Sequence, residues 1–168
     1  TGSVFSILED SNKNLWIGTY AKGIYRWLYE ESTNTYKKDY LSHNDRDYLS
    51  IPSNIIRNIA EDNNGNIWFA TGKGLSMLPK DEISKENPKF KIFKHDPKDK
   101  NSISHDYILE LFEDSKGTLW IGTFGGGINK YIPPSDKKPS KFIMYGEEDG
   151  LPNNVVKGIL EDDTGNLW

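Results

Sequence analysis

One phrase occurs four times in this chain and limits what it can fold into. EDSNKNLW ends at Trp16, EDNNGNIW at Trp68, EDSKGTLW at Trp120 and EDDTGNLW at Trp168. The tryptophans stand 52, 52 and 48 residues apart. A period near 50 residues means that one supersecondary unit is copied and that each copy buries its apolar faces against its neighbours. The 168 residues are therefore better counted in units than as one closed core.

Every unit repeats the same order of segments. An apolar or β-branched stretch (VFSIL, IIRNIA, YILELF, VVKGIL) leads to Glu-Asp, a turn, and a second strand around the tryptophan. A Gly-rich turn follows, then a third strand (GIYRW, GLSML, GINKY), a variable polar stretch and a fourth extended segment (YKKDY, KFKIFKH, KFIMYG). Connectors SIPSN, SISHD and GLPNN deliver the chain to the next unit. Four short strands per unit at this period predict a propeller blade, and no stretch of about ten residues has helical periodicity. The expected fold is all-β: a partial β-propeller of three four-stranded antiparallel blades plus the start of a fourth. Blade one is expected over 4–54, blade two over 55–106, blade three over 107–154, and the first hairpin of a truncated fourth over 155–168.

The recurrent residues have backbone explanations. Asp10, Asp62, Asp114 and Asp162 can accept turn amide protons, while Gly65, Gly117 and Gly165 supply a positive φ, as a tight bulged hairpin needs. Lys13 replaces the glycine in the first unit, which predicts a strained or differently shaped turn with Asn12 taking the left-handed position. Trp16, Trp68, Trp120 and Trp168 are expected to pack between adjacent blades. The Glu-Asp pairs resemble an acid–base pair, but a catalytic pair is needed once and these occur once per unit, so they predict turn chemistry.

Composition removes several function classes. With 21 basic and 25 acidic residues, a net charge of −4 and no basic stripe, nucleic acid and direct membrane contact are not expected. No run approaches the roughly 18 apolar residues of a bilayer span. The absence of cysteine excludes disulfides, thiolate metal sites and cysteine nucleophiles. Asp96, Asp99 and Asn101 cluster in one connector without the ligand spacing of a calcium loop, so neither a metal site nor a cofactor is expected.

The phrases FSILEDSNKNLWIGTYAKGI, IRNIAEDNNGNIWFATGKGL and LELFEDSKGTLWIGTFGGGI resemble two-component regulator propeller repeats, as does the connector HDPKDKNSISHDYI. Departures are local: Lys13 for Gly, Ala70 for the Gly of IGT, and one residue fewer at Thr71–Gly74. Tryptophan–aspartate repeats would carry dipeptides absent here, and the sialidase-type Asp box places Asp two residues before Gly, whereas Asp114 and Asp162 lie three before theirs. The resemblance implies the periplasmic sensor region of an inner-membrane-anchored hybrid two-component histidine kinase of Bacteroidetes, responding to an oligosaccharide and without catalysis of its own. The alternative is a structural or protein-docking propeller with no ligand site.

Loops between strands two and three should share a face with the connectors from strand four into the next blade. That face carries Tyr20, Lys22, His43, Arg46, Tyr48, Lys73, His105, Asp106 and Phe124, with Asn44 and Asp47 beside them. Aromatic faces for sugar rings, with polar groups for hydroxyls, make it the expected ligand face. The recurrent Asn54, Asp106 and Asn154 also suit loop capping, and His43 and His105 are read as occupying related connectors. The polar runs LYEESTNTYKK, PKDEISKENPK and IPPSDKKPSK are expected on the opposite face as solvated loops. Because propellers close with about four to eight blades, residues 1–168 are expected to be a piece of a longer chain, or to associate as a homo-oligomer through exposed terminal blades.

Overall fold

The computed structural model describes residues 2–168. Three four-stranded antiparallel sheets follow one another along the chain. The first contains β1 (Val4–Glu9), β2 (Leu15–Thr19), β3 (Ile24–Glu30) and β4 (Thr35–Leu41). β5 (Ile56–Glu61), β6 (Ile67–Thr71), β7 (Gly74–Leu78) and β8 (Lys91–Phe93) form the second. The third holds β9 (Ile108–Glu113), β10 (Leu119–Thr123), β11 (Ile128–Ile132) and β12 (Lys141–Tyr145). Each sheet is ordered as its strands occur in sequence. Beyond β12 the fourth copy is a hairpin closed by reciprocal backbone bonds between Leu160 and Trp168, at 2.9 and 2.8 Å.

The Asp of each copy organises its first hairpin. Asp10 accepts the amides of Asn12 and Asn14, each at 2.9 Å, and the indole Nε1–H of Trp16 at 2.9 Å. The same indole bond recurs from Trp68 to Asp62 (2.8 Å), Trp120 to Asp114 (2.8 Å) and Trp168 to Asp162 (3.0 Å). One carboxylate thus shapes the turn and fixes the tryptophan ring six residues on. Backbone and side-chain donors hold the Asp162 carboxyl well below the usual carboxylate range. Asn14 and Asn66 extend the clasp, each donating to its Asp while its side-chain carbonyl accepts a backbone amide, from Tyr29 near the end of β3 and from Lys80 just beyond β7.

The first turn carries the strain expected at Lys13, but the left-handed residue is not Asn12 and the shape is not altered. Lys13 itself takes the left-handed conformation, at φ 65°, where Gly65, Gly117 and Gly165 lie at 78°, 75° and 82°. Its amide bonds to the Asp10 carbonyl at 2.9 Å, as the glycine amides do to their own Asp, so the turn keeps the common shape. The Asp10 clasp supports a conformation that a side chain ordinarily disfavours.

Tryptophans seal the junctions between sheets. Trp16 packs in one core cluster with Ile56, Ile59, Ile67 and Phe69 of the second sheet, meeting Phe69 edge-on at 5.8 Å. Trp68 repeats this against the third sheet, with Tyr131 at 4.9 Å and Leu119 and Ile121 in the same cluster. Trp16 and Trp68 are buried, Trp120 is half-buried and Trp168 is 79% exposed. Burial therefore tracks how much of a following sheet covers each ring.

Polar bonds stitch the same junctions. Glu61 accepts the backbone amide and hydroxyl of Ser11 at 2.7 and 2.6 Å, Glu113 accepts the Asn63 amide at 3.1 Å, and Glu161 accepts both donors of Ser115 at 2.7 and 2.8 Å. The Glu of the second, third and fourth Glu-Asp pairs thus reaches back to the turn of the preceding copy, while the Asp serves its own. Connectors add a second tie, since the Phe90 and Phe142 amides each donate to the preceding connector, at Leu49 and Asn101, both at 2.9 Å.

The run PKDEISKENPK is not the solvated loop expected. Ile83 is buried in the first core cluster, and the carbonyls of Ile83 and Lys85 accept Arg26 Nη1 at 2.8 and 3.0 Å. Arg26 is buried and paired with Asp39. Burial alone would raise the Asp39 carboxyl, but the Arg26 and Tyr40 hydrogen bonds outweigh it and hold it below its ordinary value. A buried guanidinium needs such acceptors, and the loop supplies them.

Asp10→Ala should destabilise this chain by about 2–4 kcal/mol in urea unfolding, because it strips partners from a buried indole and two turn amides. Glu61→Ala should cost roughly 0.5–1.5 kcal/mol. Glu9→Ala should change stability by less than about 0.5 kcal/mol, since among the described residues its carboxylate meets no turn as that of Glu61 meets the Ser11 turn. Equal effects of the two glutamate substitutions would contradict the stitching role.

Candidate axial ligand site

The innermost strands β1, β5 and β9 each contain one β-bulge. Pairing with the second strand skips a residue between Val4 and Ser6, between Ile56 and Asn58, and between Ile108 and Glu110. The skipped residues are Phe5, Arg57 and Leu109, and Lys157 stands at the same place in the fourth copy. A bulge leaves its extra residue outside the ladder and re-aims the side chain. Here it directs one side chain of each sheet onto a common inner wall, where Lys157 of the fourth copy joins them.

Around this wall lies a pocket of about 360 Å³ lined by Arg57, Tyr107, Leu109, Phe124 and Lys157. The Phe124 and Tyr107 rings lie 5.9 Å apart, and the Phe124 amide donates to the Tyr107 carbonyl at 3.0 Å. Arg57 lies over the Phe5 ring at 4.6 Å, and Phe5 meets Tyr20 edge-on at 5.6 Å. Tyr20 and Phe124, predicted from sequence at the ligand face, thus sit at two points of one belt of rings and cations. Phe5, Arg57, Tyr107, Leu109 and Lys157 escaped the sequence reading. The signal available was recurrence at 5, 57, 109 and 157, concealed because the side chains differ in every copy.

Glu110 follows the third bulge and lines an adjoining depression with Phe5, Arg57, Leu109 and Lys157. It accepts Asn58 Nδ2 at 3.0 Å. Burial raises its carboxyl above the ordinary value, more than the Asn58 bond lowers it.

Other predicted residues lie elsewhere or serve the backbone. The connector carrying His43, Arg46 and Tyr48 runs along the outer flank of the first junction, where Asn44 and Asp47 line a separate depression with Glu86, Pro88 and Phe90. Asn44 and Asp47 accept the amides of Arg46 and Leu49, both at 3.0 Å. His43 uses both ring nitrogens, on the Ile51 carbonyl at 2.8 Å and Asp45 at 2.9 Å. His43 and His105 lie in corresponding connectors, but the residue at the position of His43 in the next unit is His95, bonded to the Ile103 carbonyl at 2.9 Å. His105 matches Ser53 and Asn153: the three side chains accept the amide two residues on, from Tyr107, Ile55 and Val155. Asn54, Asp106 and Asn154 likewise accept the amides of His43, His95 and Glu147. Lys22 and Lys73 are exposed at the tips of the loops between the second and third strands, outside the pocket lining. Asp96 and Asp99 accept the amides of Lys98 and Asn101, each at 2.9 Å.

The pattern of the two-component regulator propeller matches residues 1–21, 50–73, 102–125 and 150–168, which together make up more than half of the chain. The chain belongs to the two-component regulator propeller family. Each matched segment of this family ends in or contains the hairpin whose Asp holds the tryptophan indole. Histidine kinase P4 of Formosa agariphila is 29% identical over 168 residues, covering 99% of this chain and 11% of that protein. The extracellular domain of BT3049 of B. thetaiotaomicron, from a putative hybrid two-component system, is 28% identical with a TM-score of 0.69, covering 98% of this chain and 20% of that structure. The chain therefore spans only a minor part of either relative. PorZ of Porphyromonas gingivalis, at 16% identity and a TM-score of 0.69 over 96% of this chain and 23% of that one, shows the fold alone. So does virginiamycin B lyase of Staphylococcus aureus, at 18% and 0.61 over 99% and 48%.

Glu110→Gln should raise the melting temperature more at pH 7 than at pH 4. A carboxyl whose folded pKa is raised contributes stability below its unfolded pKa and loses it as pH rises through the folded value. The neutral amide removes that loss. A melting-temperature difference independent of pH would show that Glu110 carries no such penalty.

Proposed function

We propose that this chain is a ligand-sensing part of the periplasmic propeller of a hybrid two-component histidine kinase, and that it binds an oligosaccharide without catalysis. The observation carrying this reading is the bulge-built axial pocket, where Phe124 and Tyr107 face Arg57 and Lys157 around an apolar floor at Leu109. Rings flanked by polar groups match the alternating apolar faces and hydroxyl rims of sugars. The kinase and hybrid two-component relatives support a signalling context. No helix among the described residues is long and apolar enough to cross a membrane. Membrane anchoring would therefore fall to other parts of such a receptor.

A second reading concerns packing partners. Trp120, Ile128, Tyr145, Ile159 and Trp168 line an apolar concavity of about 260 Å³ beyond the third sheet. Its place matches the junctions where Phe69 covers Trp16 and Tyr131 covers Trp68. A further repeat unit, from the same polypeptide or a second copy, is the occupant that this register fits.

Calorimetric titration of the purified protein with a panel of neutral and acidic tetrasaccharides should yield a binder that needs no metal. Phe124→Ala should weaken that binding by up to about tenfold through loss of ring contact. Absence of heat with every member would overturn the sugar-binding reading. For the second reading, static light scattering should show concentration-dependent association that Trp168→Ser weakens.

A further inference from the structure

We infer that the axial pocket recognises an acidic sugar residue, one bearing a carboxylate or sulfate, with Arg57 and Lys157 gripping the anion and Phe124 and Tyr107 holding the ring. The inference rests on the oligosaccharide reading above and adds the charge class of the ligand.

Four observations converge on it. First, Arg57 and Lys157 come from different units but share one register and line the same pocket. Second, neither is held by a carboxylate: among the described residues the cation–carboxylate contacts are Arg26 with Asp39 and Lys85 with Glu82, beside the hydrogen-bonded His43 and Asp45. Nor does either side chain donate a hydrogen bond within the described structure. Third, the chain carries a net charge of −4, so two unpaired cations converging on one concavity are not the reflection of a basic surface. Fourth, Arg57 is half-buried and stacked on Phe5. Stacking orients a guanidinium while leaving its N–H edges for a planar or tetrahedral oxyanion. Glu110, the carboxylate lining the adjoining depression, is engaged by Asn58.

A neutral sugar would leave both cations without a counter-charge on closing over the pocket, which costs binding energy. An acidic sugar supplies charge-assisted bonds, which are roughly twice as strong as neutral ones. The bulges matter directly: in a regular strand Arg57 would alternate with its neighbours across the sheet faces instead of joining Leu109 and Lys157 on the wall.

The test is calorimetric titration of the protein with galacturonate tetramer, a carrageenan tetramer that bears sulfate and no carboxylate, and cellotetraose. At least one acidic probe should bind at least about tenfold tighter than cellotetraose, with affinity falling as ionic strength rises from about 0.05 to about 0.5 M. Arg57→Gln and Lys157→Gln should each weaken the acidic probe roughly tenfold or more and cellotetraose by a smaller factor, so that the preference for the acidic probe falls. Arg57→Lys, which keeps the charge but loses the stacked planar fork, should bind the acidic probe more weakly than the native protein and more tightly than Arg57→Gln, and unfolding curves of all variants confirm that the fold persists. Preference for the carboxylate or for the sulfate probe identifies which anion the pocket takes. Equal affinity for neutral and acidic probes, or acidic binding indifferent to both Gln substitutions, overturns this inference while the oligosaccharide reading stands. Binding of none of the three overturns both.

Discussion

A carboxylate that accepts an indole proton six residues downstream is the interaction on which the rest of this structure depends. The Asp closes its own hairpin through backbone amides, and the same oxygen pair aims the tryptophan into the junction with the next sheet. Without that aim, a large ring on a short strand could adopt several rotamers, and the junction clusters around Trp16 and Trp68 would lose their centre. Local turn chemistry and long-range packing are thereby enforced by one side chain. This accounts for the strict retention of Asp and Trp in all four copies while strand residues between them vary.

The architecture was legible because each unit states it again. Strand order, hairpin turns and the burial of tryptophan between sheets all follow from four aligned copies of one phrase. Less legible was the division of labour within Glu-Asp. Sequence places both residues at a turn, whereas the chain's curvature brings Glu61, Glu113 and Glu161 against a turn roughly 50 residues earlier. At Lys13 strain was legible but the kept shape was not: the clasp around Asp10 is strong enough to hold a turn whose glycine is missing. Ile83 and its neighbours read as polar loop because Lys and Glu dominate their surroundings. Only the buried Arg26 reveals why the backbone there turns inward.

The candidate site was half visible. Tyr20 and Phe124 stood out as aromatic residues at loop tips. Phe5, Arg57, Leu109 and Lys157 did not, because a bulge breaks the two-residue alternation by which strand faces are assigned. The connector residues around His43 drew attention through their chemistry, yet their polar atoms largely satisfy backbone groups nearby. Recurrence within one chain thus separates two kinds of position. Where copies agree, the residue serves the scaffold; where a shared register carries Phe, Arg, Leu and Lys in turn, the scaffold is indifferent and the side chain is free to serve recognition.

The glutamate stitch has a consequence for how such proteins diversify. Its acceptor is a side chain, but in every junction its partner includes a main-chain amide, which any amino acid other than proline provides. The joint is therefore largely blind to the identity of the residue on the donor side. Units joined in this way can be duplicated, exchanged or lost without matched substitutions across the seam, so the inner wall can be recomposed while its frame stays the same.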